Sequence, residues 1–128
     1  PYELLAGFNA TIDYLDSIGG FPAIVPYERA LGQRFLDGIS AAVTVYGLPG
    51  MPGRVPTFLV NVDGVAAEDV AARLAEDQIG VWAHDSWYSL DLYRRLGYSD
   101  KSVRIGFIHY NTFNEVDRLL EALHALRR

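Results

Sequence analysis

Apolar positions recur with two different periods along this chain, and the change between them is sharpest from Val103 to Leu123. Val103, Ile105 and Phe107 alternate with Arg104, Gly106 and Ile108, the period of two that gives a strand with unlike faces. Tyr110-Asn111-Thr112 then interrupts the alternation. Thr112 stands three residues before Glu115, the spacing at which a hydroxyl and a carboxylate reciprocally satisfy the unpaired amides of a helix start. Val116, Leu119, Leu120, Leu123 and Leu126 follow at helical spacing, and Arg127 and Arg128 suit the negative end of a helix dipole. The pattern predicts a strand, a polar corner and an amphipathic helix.

The same reading applied upstream predicts a helix through Leu4, Leu5, Phe8, Ile12 and Leu15 that ends at Gly19-Gly20. Phe21 to Pro26 reads as an apolar, proline-bounded connector that packs against something beyond itself. Tyr27 to about Gly38 forms a second helix on Leu31, Phe35 and Ile39, and Ala42 to Tyr46 a short strand. Gly47 to Gly53 is too rich in Gly and Pro for regular structure and reads as a flexible hairpin connection, with Arg54 exposed beside it. Val55 to Val62 is a strand whose Pro56 favours an edge or a strand start. Ala66 to Asp77 is a helix with Glu68 and Asp69 in its first turn, Ile79 to Ala83 a third strand, and Tyr88 to Leu96 a short helix stopped by Gly97. This order predicts an α+β fold: a small antiparallel or mixed sheet of about four short strands with helices packed mainly on one face. A ferredoxin-like module would share the pattern, so the order of elements does not fix ancestry.

At 128 residues the chain makes a single domain that buries roughly two thirds of its unfolded surface. A net charge of −5 without any basic run argues against a nucleic-acid surface. No apolar run reaches the ~18 residues of a membrane span and no signal-peptide pattern opens the chain, so the expected compartment is the cytoplasm. There is no cysteine, which removes disulfides, thiolate metal sites and a thiol nucleophile. His84 and His109 offer at most a pair of imidazoles and His124 falls on the last helix, so no metal site is expected. The glycine-rich segment lacks the lysine and hydroxyl of a phosphate loop.

Two places carry candidate chemistry. Arg104 puts a permanent charge inside an apolar strand, with Gly106 on the same face, and requires an anionic partner or solvent. That partner is either a ligand carboxylate, gripped by the planar fork of the guanidinium, or an internal Asp or Glu. Trp82-Ala83-His84-Asp85-Ser86-Trp87-Tyr88 leaves a strand, mixes aromatics with short polar groups and starts a helix. Trp82, His84 and Trp87 are candidates for the wall of a substrate pocket; the plainer reading makes the tryptophans core or interface residues and Asp85 or Ser86 a helix cap. Consecutive His84-Asp85-Ser86 cannot converge as a catalytic triad. Asn111 and Thr112 serve as turn and cap.

The Val103–Leu123 unit resembles the C-terminal end of class V aminotransferases, fold-type I pyridoxal-phosphate enzymes that include the cysteine desulfurases. The carriers are Arg104 in the last strand, the Tyr110-Asn111-Thr112 corner and Glu115-Val116-Asp117-Arg118-Leu119. Pro1 to Gly7 resembles the helix start that follows the phosphate-contacting segment in the cysteine desulfurase-like subfamily. Val70 to Leu74, with Ile79 to Trp82, resembles the helix and strand that lead to the active-site loop. The resemblance covers essentially the whole chain. It implies that residues 1–128 are the C-terminal small domain of such an enzyme, a fragment without its N-terminal cofactor-binding domain, and that Arg104 matches the arginine that binds the substrate α-carboxylate. It implies pyridoxal phosphate in the parent and none in this chain alone, an amino-acid substrate, and as partners the missing large domain and a homodimer mate. The Schiff-base lysine belongs to the upstream domain; the only lysine here, Lys101, lies in the polar turn Ser99-Asp100-Lys101-Ser102, where Asp100 favours its charged form. In true desulfurases the loop after the third strand carries a cysteine, and that position falls near Trp87. No residue of this chain is therefore expected to be catalytic, and the fragment alone is expected to be inactive. The alternative is a free-standing α+β ligand-binding or interaction module with a carboxylate site.

Overall fold

A computed structural model describes residues 1–84, 89–95, 97 and 101–126. Along the chain it contains α1 (Tyr2–Ser17), α2 (Gly20–Gly38), β1 (Val43–Tyr46), β2 (Thr57–Val62), α3 (Ala67–Glu76), β3 (Trp82–His84), α4 (Leu90–Arg95), β4 (Ser102–Gly106) and α5 (Phe113–Ala125). The strands form a four-stranded sheet in the order β1-β2-β4-β3, and every neighbouring pair is antiparallel. This is the expected α+β architecture. Phe58, Val60 and Val62 of β2, with Val103 and Ile105 of β4, are buried on one face of the sheet, where α2, α3 and α5 supply Leu31, Phe35, Val70, Leu74, Val116 and Leu123. The Phe35 ring lies 4.7 Å from that of Phe58 and 5.6 Å from that of Phe107, so one aromatic joins α2 to both central strands.

Three expectations change. Phe21 to Pro26 is the first part of α2 rather than a connector. Pro22 lies in the first turn, whose amides have no intrahelical acceptor in any case, so only Pro26 removes a helix hydrogen bond. Tertiary contacts offset that loss: Ile24 is buried, and the Tyr27 hydroxyl donates to the Asn111 carbonyl at 2.7 Å. Second, β3 is shorter and later than Ile79 to Ala83. Gln78 takes a left-handed φ of 57° and the Ile79 amide donates to the Leu74 carbonyl, so this stretch finishes α3 before the strand starts. Third, the glycine-rich loop is pinned and Arg54 is only half exposed. Its guanidinium donates to the carbonyls of Leu48 at 2.5 Å and Thr57 at 2.9 Å, and lies 4.4 Å above the Phe58 ring, while Met51 of the loop is buried in the core. Burial lowers the Arg54 pKa from its ordinary value. Pro56 directly precedes β2, an internal strand, and its carbonyl accepts from the Phe107 amide.

The last helix starts as its sequence indicates. The Thr112 hydroxyl accepts from the Glu115 amide at 3.2 Å, and the Glu115 carboxylate accepts from the Thr112 amide at 2.7 Å. Asp117 accepts both arms of the Arg34 guanidinium, at 2.7 and 3.0 Å, which sets α5 against α2. Arg127 and Arg128 lie outside the described residues.

Phe35→Ala should cost about 3–5 kcal/mol, much of a small domain's total stability, because it empties the junction of three aromatic rings. Urea unfolding followed by circular dichroism should show the midpoint lowered by at least about 1 M, given a slope of about 1–3 kcal/mol per M. A second prediction concerns acid. The Arg34 fork holds the Asp117 carboxyl below its usual range, and the Thr112 amide, then its hydroxyl, do the same for Glu115. Depressed carboxyls stabilise the fold fully above their unfolded pKa, about 4, and lose that contribution as pH falls through the lower folded-state values. Replacing both by Asp117→Asn and Glu115→Gln should therefore reduce the drop in urea midpoint between pH 7 and pH 3; an undiminished drop would contradict the assignment.

Candidate functional site

Burying Val103 and Ile105 against the helices turns Arg104 to the opposite face of β4, where it is exposed. Among the described residues that face is open around Arg104, where Thr57, Trp82 and Gly106 are also exposed, and closes two residues earlier at buried Ser102. Arg104 sits opposite Leu59 of β2 on one side and Trp82 of β3 on the other. Trp82 is 58% exposed, so its indole stands beside the guanidinium and is not a core side chain. Among the described residues Arg104 makes no ion pair or hydrogen bond, so its charge is satisfied by solvent rather than by an internal carboxylate. This excludes the buried-pair reading of the arginine.

Gly106 follows on the same face, opposite Thr57. A Cβ placed there would lie 3.6 Å from the Thr57 hydroxyl, an ordinary contact, so packing does not demand a glycine. Its effect is to keep the floor beside Arg104 open. Thr57, Gly80, Val81, Trp82, Arg104 and Gly106 line a shallow depression of about 500 Å³. A cation at the base, an aromatic side and a bare backbone floor suit a small anion attached to a flat or apolar body.

One pair of residues beside the site was not evident from sequence. The Ser102 hydroxyl, on a nearly fully buried residue, donates to the Asn61 side-chain oxygen at 2.6 Å. The Asn61 amide group donates to the Lys101 carbonyl at 3.0 Å. This polar clasp lies one same-face position from the Leu59–Arg104 pair and holds β2 and β4 in register. An Asn in the apolar run Thr57–Val62 was the only available signal, and its meaning depends on knowing which strand lies opposite.

The other candidates separate. His84 pairs through its strand with Ser102. Trp87, with Asp85 and Ser86, lies outside the described residues. Lys101 is ion-paired with Glu68 of α3, on the helical side of the sheet and away from the Arg104 face. His109 belongs to the corner after β4, where Tyr14 and Glu28 engage it. Among the described residues no three His, Asp or Glu side chains gather as metal ligands, and no helix is long and apolar enough to cross a membrane. A second cavity, of about 160 Å³, lies past the end of β4. Three of its polar side chains are already engaged: Arg118 donates to the Asp77 carbonyl, Asn111 accepts from the Ile108 amide, and Glu115 caps α5.

Residues 2–119 match the family described as Aminotransferase class-V. Among curated relatives, a cysteine desulfurase of Haloferax volcanii is 34% identical over 130 residues, which take in 99% of this chain and 29% of that protein. A probable cysteine desulfurase of Halobacterium salinarum is 37% identical over 120 residues, 91% of this chain and 28% of that protein. The apo structure of a cysteine desulfurase from Thermococcus onnurineus superposes with a TM-score of 0.82 at 29% identity, covering 90% of this chain and 28% of its own. The chain therefore spans less than a third of the length of these relatives.

Proposed function

This chain belongs to the class V aminotransferase family, and we propose that it is the C-terminal small domain of a larger enzyme in which Arg104 binds the α-carboxylate of an amino-acid substrate. Members of the family generally depend on pyridoxal phosphate, act on amino acids and form dimers. The observation that carries the proposal is the exposed guanidinium of Arg104, without an ion pair or hydrogen bond among the described residues, beside exposed Trp82 and the open backbone of Gly106. Two parallel charge-assisted hydrogen bonds from a planar fork fix a carboxylate in orientation as well as position. Trp82 limits the space beside it, and His84 and Trp87 are proposed as further parts of the pocket wall.

The residues of this chain do not fit covalent attachment of the cofactor. Its single lysine, Lys101, is engaged by Glu68 on the helical side of the sheet, whereas Arg104 occupies the other side. The cofactor, which stabilises negative charge on the substrate carbon bonded to nitrogen, is assigned to the part of the parent outside residues 1–128. The small domain's share is to hold the substrate by its carboxylate. The chain supplies no thiol, so uptake of sulfur by a cysteine after β3 is no part of the proposal.

Two results would test this reading. Incubating the 128-residue chain with pyridoxal phosphate and borohydride should give no stoichiometric adduct by mass spectrometry; one confined to Lys101 would overturn the fragment reading. In the full-length enzyme, Arg104→Lys should lower kcat/KM for α-amino acids by about 10- to 100-fold, since lysine retains charge but loses one of two bonds of about 1.5–3 kcal/mol. Cofactor absorbance and melting temperature should stay near those of the parent, because Arg104 is exposed and holds nothing in the fold. Unchanged kcat/KM in a stable, loaded variant would end the carboxylate assignment.

A further inference from the structure

β3 joins the sheet late, and the delay leaves a gap in the ladder beside the Arg104 depression. The turn that finishes α3 holds the Ile79 amide on the Leu74 carbonyl, and β3 pairs with β4 only from Trp82–Arg104 to His84–Ser102. Extending that register would set Gly80 opposite Gly106, but among the described residues no hydrogen bond links them. On the other side of β4 the Phe107 amide donates to the Pro56 carbonyl at 3.0 Å. Backbone groups point to alternate edges along a strand, so the N–H and C=O of Gly106 face Gly80 across the gap. A donor and an acceptor stand there side by side, neither with a partner among the described residues.

Neither glycine is there for its own conformation or for packing. Both lack a positive φ. A Cβ on Gly80 would meet nothing within 4 Å, and one on Gly106 only the Thr57 hydroxyl at 3.6 Å. Glycine weakens a strand, and where the fold does not need one it marks a close approach by something else. Gly80 and Gly106 line both the Arg104 depression and the cavity of about 160 Å³ past the end of β4, so the gap stands between the two.

The lining of that cavity selects among ligands. Its charged residues are Glu115 and Arg118, so it offers no net charge, and a charged side chain entering there would lose water without a matching counter-charge. An uncharged amide is complementary to the Gly106 edge, because its C=O accepts from the N–H while its own N–H donates to the carbonyl. We infer that the ligand gripped at Arg104 is an α-amino acid with a terminal carboxamide, which takes the place on the Gly106 edge that Gly80 leaves empty. The spacing suits a carboxamide two methylenes beyond the α-carbon, since Arg104 and Gly106 are two strand residues, about 6.7 Å, apart. This substrate class rests on the carboxylate role of Arg104 proposed above.

Titration of the isotope-labelled 128-residue chain with glutamine, glutamate and norvaline, followed by NMR, tests the inference. All three present the same α-carboxylate, and only glutamine adds an amide. Glutamine should bind about tenfold more tightly than either of the others, the worth of one or two neutral hydrogen bonds, and should move the Gly106 amide proton downfield. Gly106→Pro removes that N–H without breaking a ladder bond, and Gly80→Val fills the gap from the other side. Either should abolish the advantage of glutamine over norvaline, and Gly80→Val decides the matter if the proline variant does not fold. Arg104→Lys should instead weaken all three ligands alike, so failure of the carboxylate reading is distinguishable from failure of this one. Equal affinity for glutamine and norvaline would overturn the proposal, as would a Gly106 amide unmoved at saturation or a glutamine preference that survives Gly80→Val. No binding of any of the three would overturn it too, while the Arg104→Lys kinetics of the full-length enzyme would still judge the carboxylate reading by itself.

Discussion

The pairing of β2 with β4 is the constraint on which the rest of the structure depends. Val60 faces Val103, and Phe58 faces Ile105, so both central strands turn the same register positions toward the helices. Because side chains alternate strictly along a strand, this burial fixes Arg104 and Gly106 on the other face without any further instruction. A slip of one residue would drive the guanidinium into the core and the valines into water, at a cost no local interaction could offset. The Asn61–Ser102 clasp reinforces the same register with a buried polar pair. Stability and the candidate site thus follow from one ladder.

The helical layer responds to that ladder and also departs from it. α2, α3 and α5 close over the inner face, with Phe35 at the aromatic junction and Arg34 clasping Asp117 across α2 and α5. The Arg34–Asp117 pair is exposed, so its contribution to stability is modest and its geometric role is to set the relation of two helices. α1 takes no share in this core. It is tied to the corner beyond β4 by the contact of Tyr14 with His109 near its C-terminal end, and its apolar stripe remains outside.

The division of labour between the two sheet faces explains how a central strand can carry an arginine at little structural cost. An arginine placed in the core would need a carboxylate and several hydrogen bonds to offset desolvation. On the outer face it needs only water, and Trp82 and Gly106 shape the space around it without being required by packing. Membership of the class V aminotransferases places this surface in a family of amino-acid enzymes, while the chain's length accounts for less than a third of its relatives.

Much of this was written in local pattern. The alternation from Val103 to Ile108 predicts which residues of β4 are inside, and Thr112 with Glu115 predicts the helix start, because both depend on neighbours a few residues away. The same holds for the stop at Gly19, which adopts a φ of 101°. What sequence could not determine were features that depend on distant partners. Phe21 to Pro26 reads as a connector until Ile24 finds the interior and Tyr27 finds Asn111, contacts that outweigh the proline penalty. Arg54 reads as a surface residue until the loop folds back over Phe58. An amphipathic stripe on α1 predicts burial, yet periodicity says only that a helix has a face to hide, not that the covering surface lies within these residues. For Arg104 the sequence posed the alternative of ligand or internal acid. Only the fold, by turning it to the open face beside Trp82 and away from every described carboxylate, decided against the internal partner.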